Sequence, residues 1–159
     1  MNTEQQEAFM REAIQLSLSN IKSCNGGPFG AVIVKDGQII ARGANSVTST
    51  NDPTAHAEVV AIRQACENLQ TFQLTGCEIY ASCEPCPMCL GAIYWARLDK
   101  LYYANTKNDA AAINFDDKFI YEELEKPLEK RTLFTRQLLR NEALEAFKKW
   151  SETEQKTEY

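Results

Sequence analysis

The chain has 159 residues, 44% of them hydrophobic and 25% charged, with a formal net charge of −5. That size suits a single domain over residues 1–159, since a chain of about 150 residues buries roughly 70% of its unfolded surface. The composition excludes a disordered chain, and the acidic balance argues against a nucleic-acid partner, which usually requires a basic footprint. No apolar run approaches the roughly 18 residues of a membrane span, so no membrane partner is expected. The start, MNTEQQEAFMRE, lacks the cationic and apolar stretches of an export signal, which leads us to expect a cytoplasmic protein.

Residues 3–21 read as an amphipathic helix. Thr3 is the expected N-cap with Gln6 completing a capping box, and Phe9, Ala13, Leu16 and Ile21 fall on one side. Asn25-Gly26-Gly27-Pro28 ends it. FGAVIVK and QIIARG flank Asp36-Gly37, a strong hairpin signal because both turn residues tolerate positive φ. Residues 44–54 are polar and turn-rich, hence a loop. AHAEVVAIRQACENL predicts a helix from Thr54 or Ala55, CEIYAS a buried strand, CPMCLGAIYWAR a helix opening at its cysteines, and KLYYA another strand. Residues 116–125 look helical, RTLFTRQLL could extend as strand or helix, and EALEAFKKWSE closes the chain as a helix with a charged outer face. Strands alternating with helices indicate a layered α/β domain with a mixed sheet.

The six cysteines are Cys24, Cys66, Cys77, Cys83, Cys86 and Cys89. The first three are scattered and read as small buried hydrophobes. The last three crowd into seven residues, as metal or redox thiols do in a reducing compartment. Cys86 and Cys89 are i and i+3, so at a helix start both thiols share one side. The helix N-terminus favours their thiolates. His56 is the only histidine and opens the preceding helix. In a βαβ-type arrangement two helix starts can meet at one end of the sheet. His56, Cys86 and Cys89 then make a three-ligand zinc set that leaves the fourth position to water. Glu58, two residues after His56, can act as general base and then general acid. Residues i and i+2 do not share a helix face, so this requires the first turn of that helix at the site.

Two rivals use the same thiols. Cys83, Cys86 and Cys89 open the bacterial ferredoxin spacing, but its continuation fails at Ile93 and Tyr94. A closed structural site of His56, Cys83, Cys86 and Cys89 would leave Glu58 without a task. We expect Cys83 to pack at the strand end and bind no metal.

Asp52-Pro53-Thr54-Ala55-His56-Ala57-Glu58 and Ser82-Cys83-Glu84-Pro85-Cys86-Pro87-Met88-Cys89 resemble the cytidine deaminase superfamily, as does Gly27-Pro28-Phe29-Gly30-Ala31 with its hairpin and Asn45. The H-x-E then P-C-x-x-C pairing is the signature of zinc nucleobase deaminases. The resemblance implies a three-layer α/β/α fold with a mixed five-stranded sheet, one zinc ion per chain and oligomers. It implies His56, Cys86 and Cys89 as ligands and Glu58 as proton shuttle. The N–H groups of Ala57 and Cys86 would polarise the substrate or hold the attacking water.

Leu90 to Arg97 and Phe115-Asp116-Asp117-Lys118-Phe119-Ile120-Tyr121 resemble the bacterial guanine deaminases of this fold, through to Tyr159. That implies hydrolysis of guanine to xanthine and ammonia, with attack at C2 and Glu58 protonating N3. Asn45 would bond the base edge, Phe29 and Trp95 would wall it, and Asp117 would be a second proton carrier. Tyr159 would close the site from a homodimer partner, carried there by a swap of roughly the last 30 residues, a segment that otherwise frays. Alternative substrates are a tRNA adenosine, cytosine or a related aminoheterocycle.

Overall fold

A computed structural model describes residues 2–115 and 117–159. These divide into one compact unit ending at Lys118 and another over Phe119–Tyr159. Among the described residues no helix is long and apolar enough to cross a membrane.

The first unit opens with α1 (Thr3–Ser23), capped by Asn2 rather than Thr3. The Asn2 Oδ1 accepts from the Gln5 N–H at 2.9 Å, and Gln5 Oε1 accepts from the Asn2 N–H at 3.2 Å. The capping box therefore sits one residue earlier than expected, on the better capping residue. Phe9 and Leu16 pack inward as expected, but Ile21 is exposed and the buried stripe runs through Ala13, Ser17 and Asn20.

The hairpin follows as β1 (Gly30–Lys35) and β2 (Gln38–Ala44), with Asp36 and Gly37 both at positive φ in the turn. The loop expected at 44–54 contains one helical turn, α2 (Val47–Thr50), where Thr50 Oγ1 donates to Ser46 O. Then come α3 (Ala57–Leu69), β3 (Cys77–Cys83), α4 (Pro87–Trp95), β4 (Lys100–Asn105) and a short α5 (Lys107–Ala112).

The sheet order is β2-β1-β3-β4, with β1 antiparallel to β2 and β3, and β3 parallel to β4. Period-2 alternation sorts the core. Ala31, Ile33, Ala41 and Ile79 face α3 and α4 with Ala61 and Ile93, whereas Val32, Val34 and Tyr80 face α1 with Phe9 and Leu16. Helices thus cover both faces, as the α/β/α expectation required. On one face β2 meets α3 closely: a Cβ on Gly43 would lie 2.0 Å from the Ala57 carbonyl oxygen and 2.6 Å from the Ala61 nitrogen.

The sheet has four strands among the described residues, not five. After β4 the chain turns directly into α5. Thr106 Oγ1 accepts from the Asp109 N–H and Asp109 Oδ2 accepts from the Thr106 N–H, a capping box that starts a helix where a further strand would need extended backbone.

The second unit holds most of α6 (Lys118–Glu125), a 3₁₀ turn (Leu128–Lys130) and α7 (Arg140–Glu152). The expected start of α6 at Asp116 lies outside the described residues. RTLFTRQLL is neither strand nor helix: the Thr132 N–H donates to Glu123 Oε2 at 2.7 Å, and Leu133, Phe134, Leu138 and Leu139 are exposed. No described residue of this unit is buried.

Candidate active site

Topology gathers the site at one edge of the sheet. Because β2, β3 and β4 point the same way, their carboxyl ends lie there with the start of β1, the region where open α/β sheets bind ligands. The chain leaves β2 at Ala44 and returns as α3, whose N-cap is His56. It leaves β3 at Cys83 and re-enters as α4, whose N-cap is Cys86 with Pro87 at the first helical position. Both caps have extended backbone and neither side chain caps its own helix, so both are free to face each other.

His56 Nδ1 lies 3.6 Å from Cys86 Sγ and 3.5 Å from Cys89 Sγ. All three donor atoms fall within 4.8 Å of one another. With Zn–S near 2.3 Å and Zn–N near 2.0–2.1 Å, ligands on a tetrahedral zinc ion stand about 3.6 Å apart, so this donor set fits zinc. Cys83 is outside the group. It ends β3, its thiol donates to Thr106 O, and burial pushes its pKa up to about 11, so at neutral pH it stays a protonated thiol.

The electrostatics of the trio follow from shared protons. The Cys89 thiol hydrogen-bonds Cys86 and, against burial and with help from His56, holds Cys86 down to about 4. The same bond, with burial, pushes Cys89 up. The hydrogen bond to Cys86 raises the His56 pKa despite burial, and the charges of Cys86, Glu58 and Asp117 act in the same direction. Glu58 stands at the second position of α3, buried and beside the Cys89 thiol; burial raises its carboxyl above the usual range. The first-turn requirement on His56 and Glu58 is therefore met.

The remaining residues of the sequence reading divide. Asn45 is buried just past β2; its Oδ1 accepts from the Gly27 N–H at 3.0 Å and the Val47 N–H at 3.4 Å. Ala57, buried, opens α3, where first-turn N–H groups have no intrahelical acceptor. Phe29 is half-buried, and Asp117 is close enough for its charge to act on His56 and Cys83.

Trp95 lies at the opposite end of α4 from Cys86. It ends α4, about 13 Å along the helix from Cys86 at 1.5 Å per residue, and is 64% exposed with the Arg97 guanidinium over its ring. At that exposure it is not part of the core. Tyr159 belongs to the second unit and is exposed. Cys24, expected inside, is also exposed. Phe115 was not singled out as a site residue, yet its ring meets Phe29 edge-on at 5.0 Å. Its only sequence signal was an aromatic two residues before Asp117.

A family model described as the cytidine and deoxycytidylate deaminase zinc-binding region matches residues 3–105. This chain belongs to that deaminase family. It is 54% identical to a guanine deaminase of Bacillus subtilis over 153 residues, which span 96% of this chain and 98% of the relative. It superposes on an X-ray structure of guanine deaminase from Bacillus subtilis with a TM-score of 0.95 at 53% identity, covering 100% of this chain and 99% of that one. A tRNA-specific adenosine deaminase of Aquifex aeolicus is 49% identical, but over only 48% of this chain and 51% of its own length. A zinc-dependent deaminase with His56, Cys86 and Cys89 positioned for the ion is what geometry and family support together.

Proposed function

We propose that this protein hydrolyses guanine to xanthine and ammonia. The observation that carries the chemistry is the three-donor cluster of His56, Cys86 and Cys89 with the buried Glu58 carboxyl beside it. The choice of guanine rests on near full-length likeness to the Bacillus subtilis enzyme. Likeness to tRNA-specific adenosine deaminases is partial, 49% identity over 48% of this chain for the Aquifex aeolicus protein and 36% over 74% for one of Haemophilus influenzae, and a net charge of −5 is unsuited to RNA.

Zinc, when bound, lowers the pKa of a coordinated water from roughly 15.7 to about 7 and so provides a nucleophile at neutral pH. The chain's own residues do the rest. Asn45 Oδ1 is held by two backbone N–H groups, which leaves Nδ2 to donate to the base edge. The Ala57 N–H orients the base or the water. Phe29, met edge-on by Phe115, offers an aromatic wall. Glu58 takes a proton from the water as it adds at C2 and delivers it to N3. Asp117 takes the C2–OH proton as the C2 carbonyl forms and the C2–N bond breaks, and passes it to the departing amine, which leaves as ammonia.

The functional form is proposed to be a homodimer in which the segment ending at Tyr159 crosses to the partner and closes its site. In support, the second unit buries none of its own described side chains and exposes Leu133, Phe134, Phe147 and Trp150. Free thiols at all six cysteines suit a cytoplasmic setting.

The test is ammonia release from guanine, cytosine, adenosine, guanosine and a tRNA anticodon stem. Turnover of guanine with one zinc per chain is the expected result; activity confined to the RNA would overturn the reading.

A further inference from the structure

Asn20 sits on α1, a helix with no residue in the metal cluster, yet it is a buried polar side chain at 5% exposure. Its Nδ2 donates to Gly27 O at 2.8 Å and to Asn45 O at 2.8 Å. The Gly27 N–H in turn donates to Asn45 Oδ1 at 3.0 Å. The Asn45 N–H donates to Phe29 O at 3.1 Å, and the Phe29 N–H donates to Gly27 O at 2.8 Å. One amide nitrogen on α1 thus ties together the loop before β1 and the residue after β2. The loop is pressed against Asn45: a Cβ on Gly26 would lie 2.2 Å from Asn45 O and 2.6 Å from its Oδ1.

We infer that Asn20 is a positioning residue for substrate selection, clamping Gly27 and Asn45 so that the Asn45 amide presents Nδ2 to the base. The inference rests on the reading of Asn45 as a base contact. Its chemistry is particular. Two carbonyl oxygens converge on one point, and an Asn amide nitrogen brings two N–H donors to it. Aspartate would set an acceptor against two acceptors, serine has one donor, and alanine has none. Without the clamp both carbonyls lose a buried donor and the Gly27 N–H no longer fixes Asn45 Oδ1.

A base contact made equally in ground and transition states changes KM more than kcat. The experiment measures guanine kinetics and zinc content for wild type, Asn20→Ala, Asn20→Ser, Asn45→Ala and the Asn20→Ala/Asn45→Ala double variant. Asn20→Ala is expected to raise KM about 10-fold with kcat changed under about 3-fold and one zinc retained, and Asn20→Ser to fall between. The double variant should match Asn45→Ala alone, because residues acting through one another are not additive.

An unchanged KM in Asn20→Ala, or additive effects in the double variant, would overturn the inference while guanine turnover by wild type stands. Wild-type protein inert toward guanine would sink the functional reading and this inference with it. Should the Asn20 variants fail to fold, amide hydrogen exchange in wild type decides. A protected Gly27 amide supports the clamp, and free-peptide exchange there overturns it.

Discussion

Residues 31–34 (Ala-Val-Ile-Val) and residues 133–139 are both apolar-rich stretches, and they end in opposite environments. The first is at most 1% exposed; in the second, Leu133 is 77% and Phe134 85% exposed. The β1 stretch is paired on both edges and covered on both faces, so its side chains are removed from water within its own unit. The later stretch has no ladder and no cover within its own unit. A folded piece of roughly 40 residues rarely stabilises itself without a staple or a partner. The difference separates two jobs: the sheet unit builds and aims the chemistry, and the second unit carries apolar surface meant for something else.

The sharpest way to break that division is at Glu58. If the sheet unit alone holds the proton route, Glu58→Gln should lower guanine turnover by about 10²–10⁴-fold, the usual contribution of a positioned acid–base group. Zinc content and melting temperature should hold. Turnover within a few-fold of wild type would place the proton route elsewhere.

Gly43 tests how the unit aims that group. Gly43→Val would drive a side chain into the Ala57 carbonyl and push α3 off β2, shifting His56 and Glu58 together. Overpacking of this kind costs about 1–3 kcal/mol, which should show as a lower urea midpoint together with weaker zinc retention. A normal midpoint would mean α3 and β2 adjust freely and the close approach is incidental.

The second unit should respond differently. Phe134→Ser and Phe147→Ser remove side chains that are 85% and 75% exposed in the single chain, so unfolding of that chain should barely change. If a second copy covers them, truncating a buried aromatic anchor at an interface costs ~2 kcal/mol or more. The dimer dissociation constant from sedimentation should then rise at least about 10-fold per residue. A chain that is monomeric throughout, or a constant that stays put, would remove the partner from the account.

What the sequence made legible follows the same line. The hairpin at Asp36-Gly37 and the helix starts at His56 and Cys86 are written locally, in turn chemistry and in a Pro at a helix N-terminus, and they lie within a residue or two of where they were expected. The metal trio was readable because few arrangements suit one His, a Glu two residues on and a Cys pair at i, i+3. Asn20 was not, since its role exists only where α1, the Gly27 loop and Asn45 converge. Its one trace was a polar residue on the stripe shared with Ala13 and Ser17. Trp95 is not core, since the last position of α4 leaves it 64% exposed. The missing fifth strand turns on the competition between Thr106 capping and extended backbone, which apolar content does not reveal.

The smallest effect tests the α1 face of the sheet unit, away from the chemistry. Glu78 accepts from Lys100 Nζ at 2.7 Å and from Tyr80 OH at 2.9 Å. Burial pushes its carboxyl up, but the bonds from Lys100 and Tyr80 outweigh that and leave its pKa below the ordinary 4.5. Burial and the same bond raise the Tyr80 pKa, so its hydroxyl remains a donor. A carboxyl whose folded pKa is depressed stabilises the fold above its unfolded pKa and loses that contribution as pH falls through the folded one. Lys100 is 58% exposed, so solvent screens the pair and Glu78→Gln should cost only about 0.2–1 kcal/mol at pH 7. The gap between wild type and Glu78→Gln, read as urea midpoints, should narrow as pH drops below 4.5. A gap that widens on acidification would mean that Glu78 is held protonated in the fold, and that burial rather than the Lys100 bond governs it.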